Sequence, residues 1–139
     1  MLIDPGSPEA IIALSSEKID YILVSHGHPD HVAGLLTLRW SRQTPPPKVV
    51  YRFECSNYGL LNELCRKPIA LSMIGTLMDE VKIGSFKVRF IPLNHGIPTF
   101  GFLIEGKSAS IAYLLDTKGL PPQSEKLLVN SRPSIVLVD

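Results

Sequence analysis

The segment Ser25-His26-Gly27-His28-Pro29-Asp30-His31 constrains the fold more than any other stretch of the chain. It sets three imidazoles and a carboxylate within six positions, directly after the apolar run Tyr21-Ile22-Leu23-Val24 and directly before an apolar pattern that starts at Val32. A short apolar run reads as a buried strand, and the pattern from Val32 to Trp40 reads as a helix. The segment is therefore a strand-to-helix loop, on which alternate side chains can aim at one centre while their neighbours aim at a second. Imidazole and carboxylate are borderline ligands suited to zinc, manganese or iron. A histidine-rich surface loop without a metal is the bland alternative. It fits poorly, because the 139 residues contain four histidines and three of them fall here.

The rest of the pattern fits this start. Val49–Phe53 reads as a second strand and Ser56–Cys65 as a helix, while Ile69–Asp79 stays ambiguous. Beyond it the character changes. Val81–Ile83, Phe86–Leu93, Phe100–Glu105 and Ser110–Leu115 read as strands, with Gly84-Ser85 and Gly106-Lys107 marking turns of a meander. A short helix around Ser124–Val129 precedes a last strand, Ile135–Val138. Strands interleaved with helices and then run as a meander predict a mixed sheet with helices on its outer face. The chain opens in a strand at Leu2-Ile3 and stops at Asp139 at the end of another, so a fragment of a larger domain is expected.

Composition narrows the function classes. Charged residues are 19% and the net charge is +1, a balance that gives no long-range steering of nucleic acid. No run approaches the ~18 apolar residues of a membrane span, and the first residues are not a signal peptide, so a soluble cytoplasmic protein is expected. Cys55 and Cys65 fit no zinc or redox spacing and read as two reduced thiols packed as small hydrophobes.

Two further residues gain meaning from the loop. His95 follows the strand ending Ile91-Pro92-Leu93-Asn94, where a strand hands over to a loop. Alone it would be a hydrogen-bonded structural histidine; beside a metal loop it is a candidate ligand. Asp116 closes the apolar run Ile111–Leu115 and would ordinarily be a turn former. With two cations to neutralise, a carboxylate able to bridge them is what the chemistry needs.

The His-x-His-x-Asp-His loop, the single later His95 and the strand-end Asp116-Thr117 together resemble the ligand order of metallo-β-lactamase-fold hydrolases. Leu2-Ile3-Asp4-Pro5-Gly6 resembles the strand and turn that precede that loop, with Asp4 in a supporting place behind the ligands. The likeness extends to the cyclic-phosphate phosphodiesterases that accompany carbon–phosphorus lyase in phosphonate breakdown (PhnP-like). It rests on Gly34–Trp40, Pro92–His95, Thr99–Glu105 and Leu115–Pro121, and runs from about Asp20 to Asp139.

The resemblance implies an α/β (α+β) metallo-β-lactamase-like αββα sandwich, present in part with N- and C-terminal segments missing, as a single domain over 1–139. It implies that His26, His28 and His95 hold one metal, Asp30 and His31 a second, and that Asp116 bridges, with Asp30 and Asp116 also the catalytic carboxylates. Two divalent ions, zinc or manganese, serve the complete enzyme. The family supplies a further histidine from a C-terminal segment, so the second site is expected to be incomplete within these residues.

The implied reaction is metal-assisted in-line hydrolysis of a small cyclic ribose phosphate. Arg39 would contact a phosphate or be solvated, and Trp40 would pack. The expected partners are the small phosphodiester and a second copy of the chain, with no membrane and no nucleic acid. Three alternatives stand beside this. One is a tRNA 3′-processing nuclease, against which only twenty residues separate His95 from Asp116 and leave no room for an RNA-gripping arm. The others are a thioester or lactone hydrolase of the same fold, and a truncated chain that binds metal and turns nothing over.

Overall fold

The computed structural model describes residues 1–14, 16–38, 45–66 and 71–139, so Arg39, Trp40 and residues 69–70 lie outside the described residues. The chain forms two compact units, Met1–Leu77 and Met78–Asp139.

The first unit is built on a parallel sheet in the order β1-β2-β3-β4, formed by Leu2–Ile3, Tyr21–Val24, Lys48–Arg52 and Ser72–Thr76. Parallel neighbours need a crossover, and helices supply it. Helix α1, Pro8–Ala13, leads from β1 to β2, with Ser7 Oγ capping it by accepting the Ala10 N–H at 3.2 Å and Pro8 in the first turn. Two short helices, α2 (Pro29–Val32) and α3 (Leu35–Leu38), start the path to β3, and α4 (Gly59–Arg66) leads to β4. Ile22, Leu23 and Val24 are all fully buried, the unbroken apolar run that an inner parallel strand requires. Val49, Leu35 and Leu61 are equally inaccessible and complete the core of this unit.

The second unit is a five-stranded sheet in the order β5-β6-β7-β8-β9, formed by Glu80–Ile83, Phe86–Leu93, Thr99–Glu105, Ser110–Leu114 and Ile135–Val138. Its first four strands form the expected antiparallel meander, from Ile83 opposite Phe86 to Leu103 opposite Ala112. Gly84, at φ +60°, makes the tight β5–β6 turn, where a side chain would be strained. Helix α5, Pro122–Ser131, then carries the chain across to β9, which runs parallel to β8. Ile91, Leu93, Leu103, Ala112 and Leu114 form the core, with Leu120, Leu127 and Leu128 packed against it. Strand β9 is different: Ile135, Val136, Leu137 and Val138 are each about half exposed or more.

Several readings change in detail. The strands sit in two separate sheets, one parallel and one mostly antiparallel, because their hydrogen bonding divides between β4 and β5. The expected helix from Val32 is two short helices broken at Ala33-Gly34. Gly34 is needed there, since a Cβ would lie 2.4 Å from the Pro5 carbonyl oxygen. The expected helix over Ser56–Cys65 is a 3₁₀ segment, Phe53–Asn57, followed by α4, with the break at Tyr58 in extended backbone. The ambiguous stretch contains β4, paired along its whole length with β3. Among the described residues no helix is long and apolar enough to cross a membrane.

Candidate metal centre

The histidine loop leaves β2 and enters α2, and the β1–α1 turn buttresses it. Asp4 sits at the end of β1 with φ +44°, its N–H donating to the Leu23 carbonyl at 3.0 Å. This left-handed turn aims a carboxylate that is 3% exposed at the loop. Oδ1 accepts the Ser25 N–H at 2.7 Å, and Oδ2 faces Nδ1 of His31 at 3.2 Å as an ion-pair contact rather than a directed hydrogen bond. Two residues on, Gly6 touches the loop backbone so closely that a Cβ would lie 1.5 Å from the Asp30 carbonyl oxygen. The Gly34 N–H donates to the Pro5 carbonyl at 2.8 Å and ties the far end of the loop to the same turn.

A second buttress comes from α4. The Leu60 N–H donates to the Gly27 carbonyl at 2.8 Å, so the first turn of α4 holds the middle of the loop. Both residues at this contact must be glycine. A Cβ on Gly27 would lie 2.1 Å from the Tyr58 carbonyl oxygen, and one on Gly59, whose φ is +55°, would lie 2.1 Å from that of Gly27.

Within this frame the imidazoles cluster. The ring of His26 is completely buried, 4.7 Å from that of His28 and 4.2 Å from that of His31 between centroids. Nε2 of His26 and Nδ1 of His28 face each other at 3.0 Å. Two ligands of a tetrahedral zinc at its usual bond length stand about 3.3 Å apart, so this pair fits one ion with little movement. Asp30 and His31 approach each other at 3.7 Å between Oδ2 and Nε2, and the Asp30 side chain is 75% exposed. An open carboxylate beside a buried imidazole suits a second cation that still meets solvent. His26, His28, Asp30 and His31 thus gather on one loop.

In the second unit His95 and Asp116 follow the ends of β6 and β8. Hydrogen bonds join their loops: Lys118 N–H donates to the Asn94 carbonyl at 2.8 Å, and Asn94 N–H to that of Gly119 at 3.3 Å. Ligand atoms of His95 and Asp116 accordingly lie within 4.8 Å of each other. Asp116 has φ +57°, and its N–H donates to Asp139 Oδ1 at 2.8 Å. Helix α5 steadies this edge through Ser124, whose hydroxyl donates to the Pro92 carbonyl at 2.7 Å.

Sequence reasoning read Cys55 as a packed thiol without placing it behind the loop, and it missed the Gly27–Gly59 contact. The Cys55 thiol is buried behind the loop and donates to the Ser25 carbonyl at 3.4 Å. Burial pushes its pKa up to about 12, with the nearby Glu54 carboxylate adding to the effect. It therefore stays protonated across neutral pH, as expected of a packed thiol. Cys65 is half-buried, its pKa also raised by burial, and bonds Tyr51 Oη at 3.3 Å. Iodoacetamide at pH 8 is expected to leave Cys55 unmodified in the native chain and to alkylate it in urea, by peptide mass spectrometry. Native-state labelling of Cys55 as fast as that of a free thiol would contradict this burial.

The chain belongs to the β-lactamase superfamily domain family, whose model matches residues 2–139. It has the metallo-β-lactamase fold, a divalent-metal fold, and His26, His28, Asp30, His31, His95 and Asp116 are its candidate ligand groups. Among solved structures it is similar to a diphosphatase of the PhnP family, with a TM-score of 0.74 and 24% identity over 91% of this chain and 51% of that one. Among curated proteins it is similar to ribonuclease Z of Ignicoccus hospitalis, 29% identical over 78% of this chain and 39% of the relative. Ribonuclease Z of Thermococcus onnurineus is 31% identical over 68% and 32%. The chain thus spans about a third of the length of these curated relatives.

Proposed function

We propose that the two units work as one domain over 1–139, the metal-binding part of a metal-dependent hydrolase that cleaves phosphodiesters, small cyclic ribose phosphates first. The observation that carries the reading is the 3.0 Å approach of Nε2 of His26 to Nδ1 of His28, on a loop that also presents Asp30 and His31. In this reading His26, His28 and His95 would hold one divalent ion and Asp30 and His31 a second, with Asp116 a candidate ligand in both groups. Such ions supply a water of lowered pKa and a Lewis acid for the phosphoryl oxygens. The protein's part is to fix the donors before substrate arrives, through Asp4 and the two glycine contacts, so that little reorganisation remains for the reaction. The structural likeness to a PhnP-family diphosphatase supports a small phosphate ester as substrate.

A second reading, tRNA 3′ processing, draws its support from the curated relatives named ribonuclease Z. Substrate competition separates the two. With zinc or manganese loaded, the chain is expected to hydrolyse a cyclic ribose phosphate and bis(p-nitrophenyl) phosphate only feebly, since its second ion site is short of a ligand, and to leave a precursor tRNA intact. Cleavage of the precursor alone would establish the second reading. Turnover of thioesters or lactones alone would overturn the phosphodiesterase reading and leave the metal assignment standing.

A further inference from the structure

We propose that Ser25 is a positioning residue whose one hydroxyl serves both groups of metal ligands, setting the ring tautomer of His26 and, with Asp4, that of His31. The residue is held on every side. Its N–H is taken by Asp4, its carbonyl receives the Cys55 thiol, and it is 2% exposed. Those contacts hold its backbone on both sides of the side chain. Oγ stands 2.9 Å from Nδ1 of His26 and 3.5 Å from Nδ1 of His31.

The chemistry follows from which nitrogens these are. A neutral imidazole carries its proton on one nitrogen and a lone pair on the other, and the hydrogen bond made by one decides what the other can do. A hydroxyl can accept or donate; in the proposed arrangement Oγ accepts, which keeps the proton on Nδ1 of His26 and the lone pair on Nε2, the atom that faces His28. At His31 the negative charge of Asp4 has the same effect without a directed hydrogen bond. The buried Asp4 carboxylate, 3.2 Å from its Nδ1, favours the proton on that atom over Nε2, whose own carboxylate neighbour, Asp30, is farther away at 3.7 Å and open to water. Oγ is a second, longer contact to that same Nδ1. Asp4 thus reaches His31 directly and His26 through Ser25, so the ligands of the two expected ions share one support.

This inference rests on the metal reading above for its consequence, since a fixed tautomer matters because it presents a ligand. Removing a group that orients a metal-bound histidine ordinarily lowers metal affinity about 10–100-fold. The test begins without metal. Long-range proton–nitrogen correlation spectra of ¹⁵N-histidine-labelled, metal-free chain are expected to show His26 and His31 protonated at Nδ1. In Ser25→Ala the His26 signals should shift towards a mixture of tautomers, and zinc affinity, by competition with a chelating dye, should fall about tenfold. Ser25→Thr, which keeps the hydroxyl, should restore both.

Finding His26 protonated at Nε2 in the unaltered chain overturns the proposal, even if Ser25→Ala does not fold. So does a Ser25→Ala chain with unchanged histidine signals and zinc affinity within twofold. If the unaltered chain takes up no zinc, the metal reading fails, while the tautomers still decide what Ser25 does.

Discussion

Replacing His26 with alanine is expected to weaken zinc binding by roughly two to three orders of magnitude. A structural zinc site of four ligands is worth about 10–16 kcal/mol, so one ligand accounts for about 2.5–4 kcal/mol. Each 1.36 kcal/mol is a factor of ten. His26 is the sharpest place to look, because it is the most deeply buried of the loop imidazoles. Titration against a chelating dye measures the loss, and a thermal melt of the metal-free variant separates it from damage to the fold. The same change should remove phosphodiester turnover, as should EDTA treatment of the unaltered chain. An affinity within fivefold of the original would mean that His26 packs and does not ligate.

The second large effect concerns the β1–α1 turn. Gly6→Ala would drive a methyl to within 1.5 Å of the Asp30 carbonyl oxygen, and both partners are backbone, so no rotamer change can relieve the contact. Either the turn moves, which pulls Asp4 away from Ser25 and His31, or the loop moves, which displaces Asp30 and His31. A cost of about 4 kcal/mol or more is expected, at the upper end of single substitutions. Urea denaturation gives the stability and zinc titration gives the site, and both should fall together. A fall in stability with zinc affinity untouched would show that the turn supports the fold alone.

The legibility of this chain follows a physical division. Elements read from side-chain period came through: β2, the meander β5–β8, α5 and β9 stand where alternating or continuous apolar runs placed them. Elements decided by backbone contacts did not. Helix α1 carries Ser7 and Pro8 as plain start signals, yet Ile11 is its one buried residue, and so weak an apolar stripe hides a six-residue helix. The breaks at Gly34 and Tyr58-Gly59 arise where the chain passes within contact of a distant carbonyl, and no local window contains that carbonyl. Ligand candidates were legible because imidazole is rare in the sequence and clusters. Ser25 gave no such signal, since a serine beside a histidine is common and only the placement of its oxygen gives it a role.

Asp4 and Asp116 both lie in left-handed backbone, at φ +44° and +57°. Few side chains tolerate that conformation; asparagine does, and is nearly the same size as aspartate. The geometry therefore narrows the sequence variation open to these positions and gives the experimenter a clean probe. Exchange for asparagine keeps the turn and removes the negative charge, whereas alanine disturbs both at once. Paired variants, asparagine against alanine at each position, would measure how much of each aspartate's value lies in its charge and how much in the bend it permits.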